Sequence, residues 1–269
     1  MKAKIVIATH KKYYMPKDEM YLPLHVGAAC RADSSGRTLD FGYTKDDTGD
    51  NISDKNPYFC ELTGLYWAWK NLDADYIGLV HYRRYFSMHR KSSIDNILKY
   101  EELRPYLGRI KLFVPKKRNY FIETLYSHYE HTHYIEQLDM TRRIIKERHP
   151  EYLDSFDRVV HKKSGHMFNM CIMQRELLDE YCTWVFDILF ELEKRIRMPQ
   201  LNEFQSRFYG RISEIIFNVW VEYEITSKKL SKNSIMELNC IHLEKINWYQ
   251  KGKAFLRAKF FGEKYQRSF

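Results

Sequence analysis

The sequence predicts an α/β fold in which a mainly parallel central sheet is flanked by helices and followed by a helical C-terminal part. Two short apolar runs, at residues 4–8 and 76–80, have the length and composition of buried strands. Between them, residues 56–71 place apolar side chains at helical spacing, and this pattern returns at residues 177–192 and 212–223. Strands that alternate with helices are typical of parallel sheets, because each parallel crossover usually contains a helix.

The N-terminal elements follow from local signals. The first strand is predicted at residues 4–8. The stretch 33–54 is rich in Asp, Gly, Ser and Thr and is too long for an ordinary connection, so we expect a functional loop there. Asn56 and Pro57 have the form of an N-cap followed by proline at the first helical position. A helix is therefore predicted from there to about Asn71, ahead of the second apolar run.

Predicted strands and helices also alternate in the later part of the chain. The predicted elements are a strand at 110–115, a helical region rich in Tyr and His at 119–149, a strand at 167–173, helices at 177–192 and 212–223, and a strand at 237–243. We therefore predict one domain over residues 1–245 and a separate basic tail at 246–269.

Composition excludes several classes of protein. The 269 residues are 44% apolar and 29% charged, which suits a globular chain with one sizeable core. The N-terminal apolar run is too short for a signal peptide, and no run of about 18 apolar residues is present. We therefore expect a cytoplasmic protein with no membrane-spanning segment.

The basic tail holds six Lys and Arg residues against one Glu, out of a net charge of +9 for the whole chain. Phe and Leu interleave with these charges at near-helical spacing, which is the pattern of a surface helix that binds anionic lipid. A nucleic-acid-binding tail and an ordinary helix packed on its own domain remain as alternatives.

No metal or disulfide site is predicted. The five cysteines show no Cys-x-x-Cys spacing, so we expect them to be reduced. His128, His131 and His133 lie among Tyr and Glu residues without a further defined zinc ligand, which favours a polar helix face.

A cationic cluster follows the predicted strand at 76–80. His81, Arg83 and Arg84 stand at its carboxyl end, which is where open α/β sheets bind ligands. Arg is a natural bidentate partner of phosphate, so the cluster predicts a diphosphate site that needs no metal. Strict strand alternation puts His81 and Arg83 on one side and makes Arg84 the weaker candidate. The alternative is an Arg pair that satisfies buried carboxylates such as Asp73 or Asp75.

Four segments resemble a known bacterial family, and the likeness covers residues 4 to about 245. They are Asp50-Asn-Ile-Ser53, Asn56-Pro-Tyr-Phe-Cys-Glu-Leu-Thr-Gly-Leu-Tyr-Trp-Ala-Trp69, Gly78-Leu-Val-His-Tyr-Arg-Arg-Tyr-Phe86 and Gly165-His-Met-Phe-Asn169. This family was long labelled a domain of unknown function. Its members are found in capsular and exopolysaccharide gene clusters and are treated as glycosyltransferases.

The resemblance implies a glycosyltransferase A-like, Rossmann-like fold and inverting transfer of a sugar from a UDP-sugar donor. Galactofuranose or galactose is the favoured sugar, and a lipid-linked oligosaccharide is the expected acceptor. The implied location is the cytoplasmic face of the membrane, where the basic tail would bind the anionic lipid surface. No cofactor is expected, and a divalent cation stays open.

The resemblance also assigns roles to residues. A glycosyltransferase A-like fold places the nucleoside at the end of the first strand, at Thr9 and His10. Side chains that suit the uracil edge or the ribose are Asp50, Asn51 and Asn56, although such residues also serve in turns and caps.

The base that deprotonates the acceptor must be a carboxylate. Glu214 is the first candidate, since the family pattern tends to keep an acidic residue at this point, before Ile216-Phe-Asn-Val-Trp220, and Glu61 is the rival. His166 and Asn169 interrupt an apolar run and are candidates for binding the donor sugar or the acceptor.

Two other functions compete with sugar transfer. The pI of about 9.1 permits a nucleic-acid-binding protein, but no recognised nucleic-acid-binding signature is present, so no nucleic-acid partner is expected. A nucleotide-sugar phosphohydrolase that uses His81 as nucleophile would lack the metal-binding carboxylates typical of such enzymes.

Overall fold

The computed structural model describes residues 1–30, 39–196, 201–244 and 259. The strands are β1 Ala3–Thr9, β2 Tyr21–His25, β3 Thr44–Lys45, β4 Tyr76–His81, β5 Arg84–Ser87, β6 Leu112–Pro115, β7 Arg118–Asn119, β8 Ser164–Gly165, β9 Cys171–Gln174 and β10 Ile235–His242. The α-helices are α1 Asn56–Phe59, α2 Leu62–Asn71, α3 Tyr100–Leu103, α4 Leu125–Thr132, α5 Ile135–Arg148, α6 Leu153–Val160, α7 Arg175–Arg195, α8 Glu203–Ser206 and α9 Phe208–Thr226.

The main sheet has eight strands in the order β3-β2-β1-β4-β5-β10-β6-β9. Its first four strands are parallel, with Ile5 opposite Tyr21 and Gly78 in the registers of β1 with β2 and β4. These strands are apolar because they are buried; β1 is enclosed at every residue but Lys4. Their carboxyl ends therefore meet at one edge of the sheet.

The second half of the sheet is antiparallel at most of its pairings and closes on itself. β4 pairs with both β5 and β9, and the remaining pairings β5–β10, β10–β6 and β6–β9 complete a ring of five strands. The described sheet is thus mixed, with four parallel and four antiparallel pairings. The predicted mainly parallel sheet is corrected to a mixed one.

Gly78 permits the strand ring to close tightly. A Cβ atom at this position would lie 2.9 Å from the carbonyl oxygen of Cys171 on β9, which is closer than side chains approach backbone. The glycine therefore lets β9 lie against β4 at the centre of the sheet.

The helix predicted from Asn56 to Asn71 is interrupted. Cys60 has φ of 55° and ψ of −131°, which ends α1 and reorients the chain before α2. Asn56 is the first residue of α1 and not its N-cap, which is Lys55. Its side chain instead donates to the carbonyl of Cys60 at 2.7 Å and to the hydroxyl of Thr63 at 3.1 Å, holding the two helices together.

The chain divides into two compact units that are interleaved in sequence. The first unit comprises residues 1–116, 168–182 and 231–244, and the second comprises residues 117–167, 183–230 and 245–269. One domain over residues 1–245 stays a prediction, and the tail at 246–269 lies outside the described residues apart from Lys259.

Each unit has its own apolar interior. In the first unit, fully buried side chains such as Ile7, Tyr85 and Phe113 pack in one cluster between the strands. In the second unit, α5 and α6 pack against α9, which buries Trp220 completely. Among the helices that the structure describes, none combines the length and the apolar composition needed to cross a bilayer.

Candidate functional site

The first unit gathers polar residues where the parallel strands end. Thr9 closes β1 beside His25 of β2, and His81 closes β4 beside Ala8. This is the edge at which open α/β sheets bind ligands. The chain then turns through Tyr82 and Arg83 into β5, so that His81 and Arg84 become cross-strand partners.

His81 is a hydrogen-bonded side chain at this edge. Its Nε2 atom lies 2.7 Å from the carbonyl oxygen of Phe168, so this nitrogen carries the proton and donates. Burial lowers the pKa of His81; the carboxylate of Glu61 opposes this effect, while Arg84 and Arg83 add to it. At neutral pH the imidazole is therefore neutral. The predicted cationic cluster is corrected: its charge comes from the two arginines.

Arg84 lies closer to His81 than strand alternation predicted. The hairpin turn between β4 and β5 breaks the alternation on which that ranking rested. Arg84 also has the larger effect of the two arginines on the pKa of His81. Its guanidinium lies 4.8 Å from the centre of the Phe168 ring, which fixes it over an aromatic face.

Glu61 and Asn169 meet at the same place. The Nδ2 atom of Asn169 donates to Oε1 of Glu61 at 2.7 Å, and Glu61 stands at the N-cap position of α2. Because the Glu61 carboxylate also acts electrostatically on His81, the first unit brings together Glu61, His81, Arg84 and Asn169, four of the predicted site residues. The sequence did not indicate that these residues are neighbours.

The segment that carries Asn169 has an unusual backbone. Phe168 and Asn169 have φ values of 76° and 53°, the left-handed region that non-glycine residues seldom occupy. The predicted strand at 167–173 is therefore limited to β9, and the preceding residues form a turn. This turn presents the Phe168 carbonyl to His81 and the Asn169 amide to Glu61. Such outliers often occur at functional sites.

Arg83, in the turn between β4 and β5, binds the carboxylate of Glu244. Its Nη1 atom lies 2.9 Å from Oε2 of Glu244, and its guanidinium lies 5.4 Å from the centre of the Tyr82 ring. Glu244 also accepts from the hydroxyl of Tyr13 at 3.3 Å and lies 3.9 Å from Nζ of Lys11. The hydrogen bond from Arg83 lowers the pKa of Glu244 against the opposing effect of burial.

The first unit also has a cleft of about 390 Å³, which the sequence did not predict. Two of its lining residues, His242 and Leu243, directly precede Glu244 in the chain. The cleft is lined by Tyr13, Tyr14, Ser92, Ser93, Ile94, His242 and Leu243. Tyrosine rings are suited to contact the apolar faces of sugars and bases. The lining residues are distant along the chain, and the sequence carries no signal that they line one cleft.

The residues predicted to bind the nucleoside are mostly engaged within the protein. Thr9 is buried, and its hydroxyl donates to the carbonyl of Lys11 at 2.7 Å, which makes a turn. His10 is exposed and packs edge-on against Tyr82, with ring centres 5.4 Å apart. Of this pair, His10 is the side chain that a ligand can reach.

The other three nucleoside candidates also bond within the protein, and two of them, Asp50 and Asn56, contact α2. Asp50 accepts from the hydroxyl of Tyr66 at 3.1 Å, and Asn51 caps its own turn by accepting from the amide of Ser53. Asn56 is buried between α1 and α2. These contacts are structural, and binding of a nucleoside by these residues stays a prediction.

Asp46 is the structural anchor of this loop. The carboxylate is fully buried and accepts from the amides of Gly27 and Ala28 at 2.9 and 3.0 Å. It also accepts from the hydroxyls of Ser53 and Thr63. The sequence showed an Asp in a long polar loop, and nothing local indicated that four donors converge on it.

Two predicted residues lie in the second unit. The backbone of His166 exchanges two hydrogen bonds of 2.8 Å with the side chain of Asn218 on α9. Glu214 stands one turn earlier on α9, where its backbone carbonyl also accepts from Asn218. Asn218 thus fixes the position of His166 relative to α9, a role that the sequence analysis missed.

No group of three or more His, Cys, Asp and Glu residues suited to a metal ion is found in the described part of the chain. His128 and His131 bind the buried carboxylate of Glu123, with Nδ1 to oxygen distances of 2.7 and 2.6 Å. Burial acts to raise the pKa of Glu123, but the hydrogen bonds and the charges of His128 and His131 together lower it. His133 pairs with Gln205 elsewhere in the unit.

Comparison with known proteins assigns a family. Residues 4–226 match the family described as a domain of unknown function, DUF4422. The chain belongs to that family. Among solved structures, this DUF4422 chain is similar to the apo structure of the WbbM bifunctional glycosyltransferase, with a TM-score of 0.79 and 30% sequence identity over 91% of this chain. The match covers 46% of the WbbM chain, so this chain spans less than half of that length. A search of curated proteins finds no match.

Proposed function

We propose that this DUF4422 chain is a glycosyltransferase that transfers a hexose from a UDP-sugar to a lipid-linked oligosaccharide. The observation that carries the proposal is the meeting of Arg84, His81 and Glu61 at the carboxyl edge of the parallel strands, with Arg83 in the adjoining turn. The likeness to WbbM, which is described as a bifunctional glycosyltransferase, supports the same reaction class. Galactofuranose or galactose remains the favoured sugar, on the family resemblance.

The arginines have the chemistry needed to stabilise the leaving group. In the reaction, the acceptor hydroxyl oxygen forms a bond to the anomeric carbon while the bond from that carbon to the diphosphate oxygen breaks. UDP leaves with the bonding electron pair and gains negative charge. The guanidinium groups of Arg83 and Arg84 are cationic and offer fixed hydrogen-bond donors to that charge.

The carboxylate of Glu61 is proposed as the base that takes the proton of the acceptor hydroxyl. Its charge acts on the imidazole of His81, and its Oε1 atom accepts from the Asn169 amide at 2.7 Å. A carboxylate whose position is fixed by a hydrogen bond is suited to general base catalysis. Glu214 remains the alternative base. Attack from the face opposite the diphosphate gives inversion, as the family resemblance implies.

A glycosyltransferase A-like arrangement is proposed for the parallel half of the sheet, where β1 to β4 end at the site. We propose that the diphosphate binds without a divalent cation, because two arginines supply positive charge at that edge. The reaction is placed at the cytoplasmic face of the membrane, where the lipid-linked acceptor would be presented.

A donor screen tests the proposal directly. Calorimetry of the full chain with UDP, UDP-galactofuranose, UDP-galactopyranose, UDP-glucose and GDP-mannose, each with and without a strong chelator, should show binding of the uridine compounds in both conditions. Sugar transfer should follow the same pattern. Equal affinity for GDP-mannose would contradict the uridine preference, and inactivation by chelator that Mn²⁺ reverses would contradict the metal-free mechanism.

A further inference from the structure

The second unit carries an exposed apolar turn that the proposed reaction does not use. Phe121 and Ile122 are 76% and 63% exposed, and they are adjacent in the chain. Single exposed apolar residues are common on protein surfaces, but two neighbouring large side chains this far out of the protein are not.

The protein holds this turn in place. β7 pairs with β8, and beyond β7 the amide of Tyr120 donates to the carbonyl of Lys163 at 2.8 Å. The Phe121 amide donates to Oδ1 of Asn119 at 2.8 Å, and the Ile122 amide donates to the carbonyl of Tyr120 at 2.7 Å. Phe121 has φ of 57°, a conformation that Phe seldom adopts. The exposure of both side chains is thus fixed by the fold.

Positive charge surrounds the apolar pair. Lys117 and Lys163 are exposed on the two paired segments, and Arg118 stacks 4.7 Å from the centre of the Tyr120 ring. Glu123 is the acidic residue between positions 116 and 128; it is only 2% exposed, and it binds His128 and His131. The turn therefore exposes two apolar side chains that are flanked by basic residues.

We propose that this turn, residues 117–123, inserts Phe121 and Ile122 into the surface of an anionic lipid bilayer. Apolar side chains that enter the boundary between head groups and acyl chains, flanked by Lys and Arg that bind the head groups, are the pattern of interfacial membrane anchors. Complementary charge favours a bilayer over a protein surface as the partner, because the lysines lie on both segments that support the turn. Lys259, a residue of the basic tail, lies 4.0 Å from Oε1 of Glu123 at the end of this turn and adds to the positive charge there.

The first experiment locates the turn relative to lipid. Phe121→Trp in the full chain is mixed with vesicles of phosphatidylcholine and phosphatidylglycerol whose acyl chains carry bromine, a quencher of tryptophan fluorescence. Phe121→Trp should show quenching beyond that of the wild type. Tyr58→Trp, at another exposed aromatic position, is the matched control and should show no quenching beyond that of the wild type.

The second experiment measures affinity. The double variant Phe121→Ser and Ile122→Ser should weaken vesicle binding by about tenfold or more, since two apolar side chains no longer enter the bilayer. Lys117→Glu with Lys163→Glu should weaken binding to vesicles that contain phosphatidylglycerol and leave binding to pure phosphatidylcholine unchanged. Circular dichroism confirms that each variant is folded.

Three results would overturn the proposal. They are the absence of vesicle binding by the full chain, no added quenching in vesicle-bound Phe121→Trp, and unchanged affinity of the folded double-Ser variant. Because none of these measurements uses a sugar donor, their outcome is independent of the proposed transferase activity.

Discussion

Arg83 already binds one anion in the structure, the carboxylate of Glu244 at 2.9 Å. The same guanidinium geometry suits a phosphate, so we expect a donor diphosphate to replace Glu244 as its partner. Arg83→Ala should lower turnover about a hundredfold or more, because loss of one preorganised donor costs about 3 kcal/mol in the transition state.

Two further variants make the Arg83 test specific. Arg83→Lys should recover part of the activity, since a point charge does not reproduce the bidentate fork. Arg90→Ala, an exposed arginine six residues after β5 begins, should change turnover little. Steady-state kinetics with a UDP-sugar gives the comparison, and full activity of Arg83→Ala would remove this residue from the mechanism.

His81 should make the protein less stable in acid. Burial, helped by Arg84 and Arg83 and opposed by Glu61, holds its pKa below the ordinary value. Above about pH 6.5 the imidazole is neutral in both the folded and unfolded states and contributes nothing to pH dependence. As the pH falls below that value, the unfolded chain binds a proton that the native protein does not, so the free energy of unfolding decreases.

The variant His81→Gln isolates this effect, since an amide also donates to the Phe168 carbonyl. Melting temperatures measured at about pH 7.5 and about pH 5 should fall less in His81→Gln than in the wild type. An equal fall in both proteins would show that His81 does not titrate abnormally.

Single residues show where sequence reasoning succeeds and fails. The sequence predicted that His81 and Arg84 lie at the end of a buried strand, and the structure places them where β4 ends and β5 begins. Anion binding at this position stays a prediction. The protonation and neighbours of these two residues did not follow from the sequence. The neutral state of His81 depends on burial, and the contact of Asn169 with Glu61 joins residues 108 positions apart.

The turn at Phe168 and Asn169 connects backbone conformation with the site. Asn169→Gly keeps access to the positive φ of 53° but removes the amide that binds Glu61. Asn169→Ala removes the amide and also makes the positive φ harder to adopt. We expect Asn169→Ala to lower the free energy of unfolding by about 1 kcal/mol more than Asn169→Gly does.

Turnover separates the two roles of Asn169. If its amide positions the Glu61 carboxylate, both variants should lose activity to a similar degree, despite their different stabilities. Denaturant unfolding gives the stabilities and sugar transfer gives the activities. Activity that follows stability alone would show that the turn matters only for folding.

Among the elements, the long periodic ones were predictable and the short paired ones were not. The predicted helices at 177–192 and 212–223 are confirmed within α7 and α9, and the strands at 4–8 and 76–80 within β1 and β4. β5 has four residues, and its place is decided by pairing with the distant β10. The break at Cys60 lies inside an uninterrupted apolar pattern, so periodicity alone predicted one helix.

At the scale of the whole molecule, the two candidate bases lie in different units. Glu61 belongs to the first unit, with His81 and Asn169, and Glu214 belongs to the second. We expect Glu61→Gln to lower turnover at least a hundredfold, about the contribution of a general base, and Glu214→Gln to lower it less than about tenfold. Both substitutions preserve size, so folding is matched.

A larger loss of turnover in Glu214→Gln than in Glu61→Gln would assign the base to the second unit, as the family pattern first indicated. UDP binding by each variant serves as the control, because loss of the base alone should leave donor affinity near that of the wild type.

The fold class was predictable at this scale, but the sheet topology was not. Alternating apolar runs identify an α/β chain, and crossovers through helices account for the parallel half. The other half depends on hairpin and long-range pairings, such as the antiparallel pairing of β10 with β5 and its parallel pairing with β6. Hydrophobic periodicity in the sequence does not indicate such pairings.

The ring of strands that β9 closes against β4 also limits how copies of this protein can associate. An open sheet ends in two rows of unpaired backbone groups, which are templates for pairing with another chain. Within the described residues, β3, only two residues long, is the outer strand at one end, while at the other end the outer pairings are taken up by the ring. β2, next to β3, carries Pro23, which has no amide to donate to an incoming strand. We therefore expect the sheet to resist edge-to-edge aggregation.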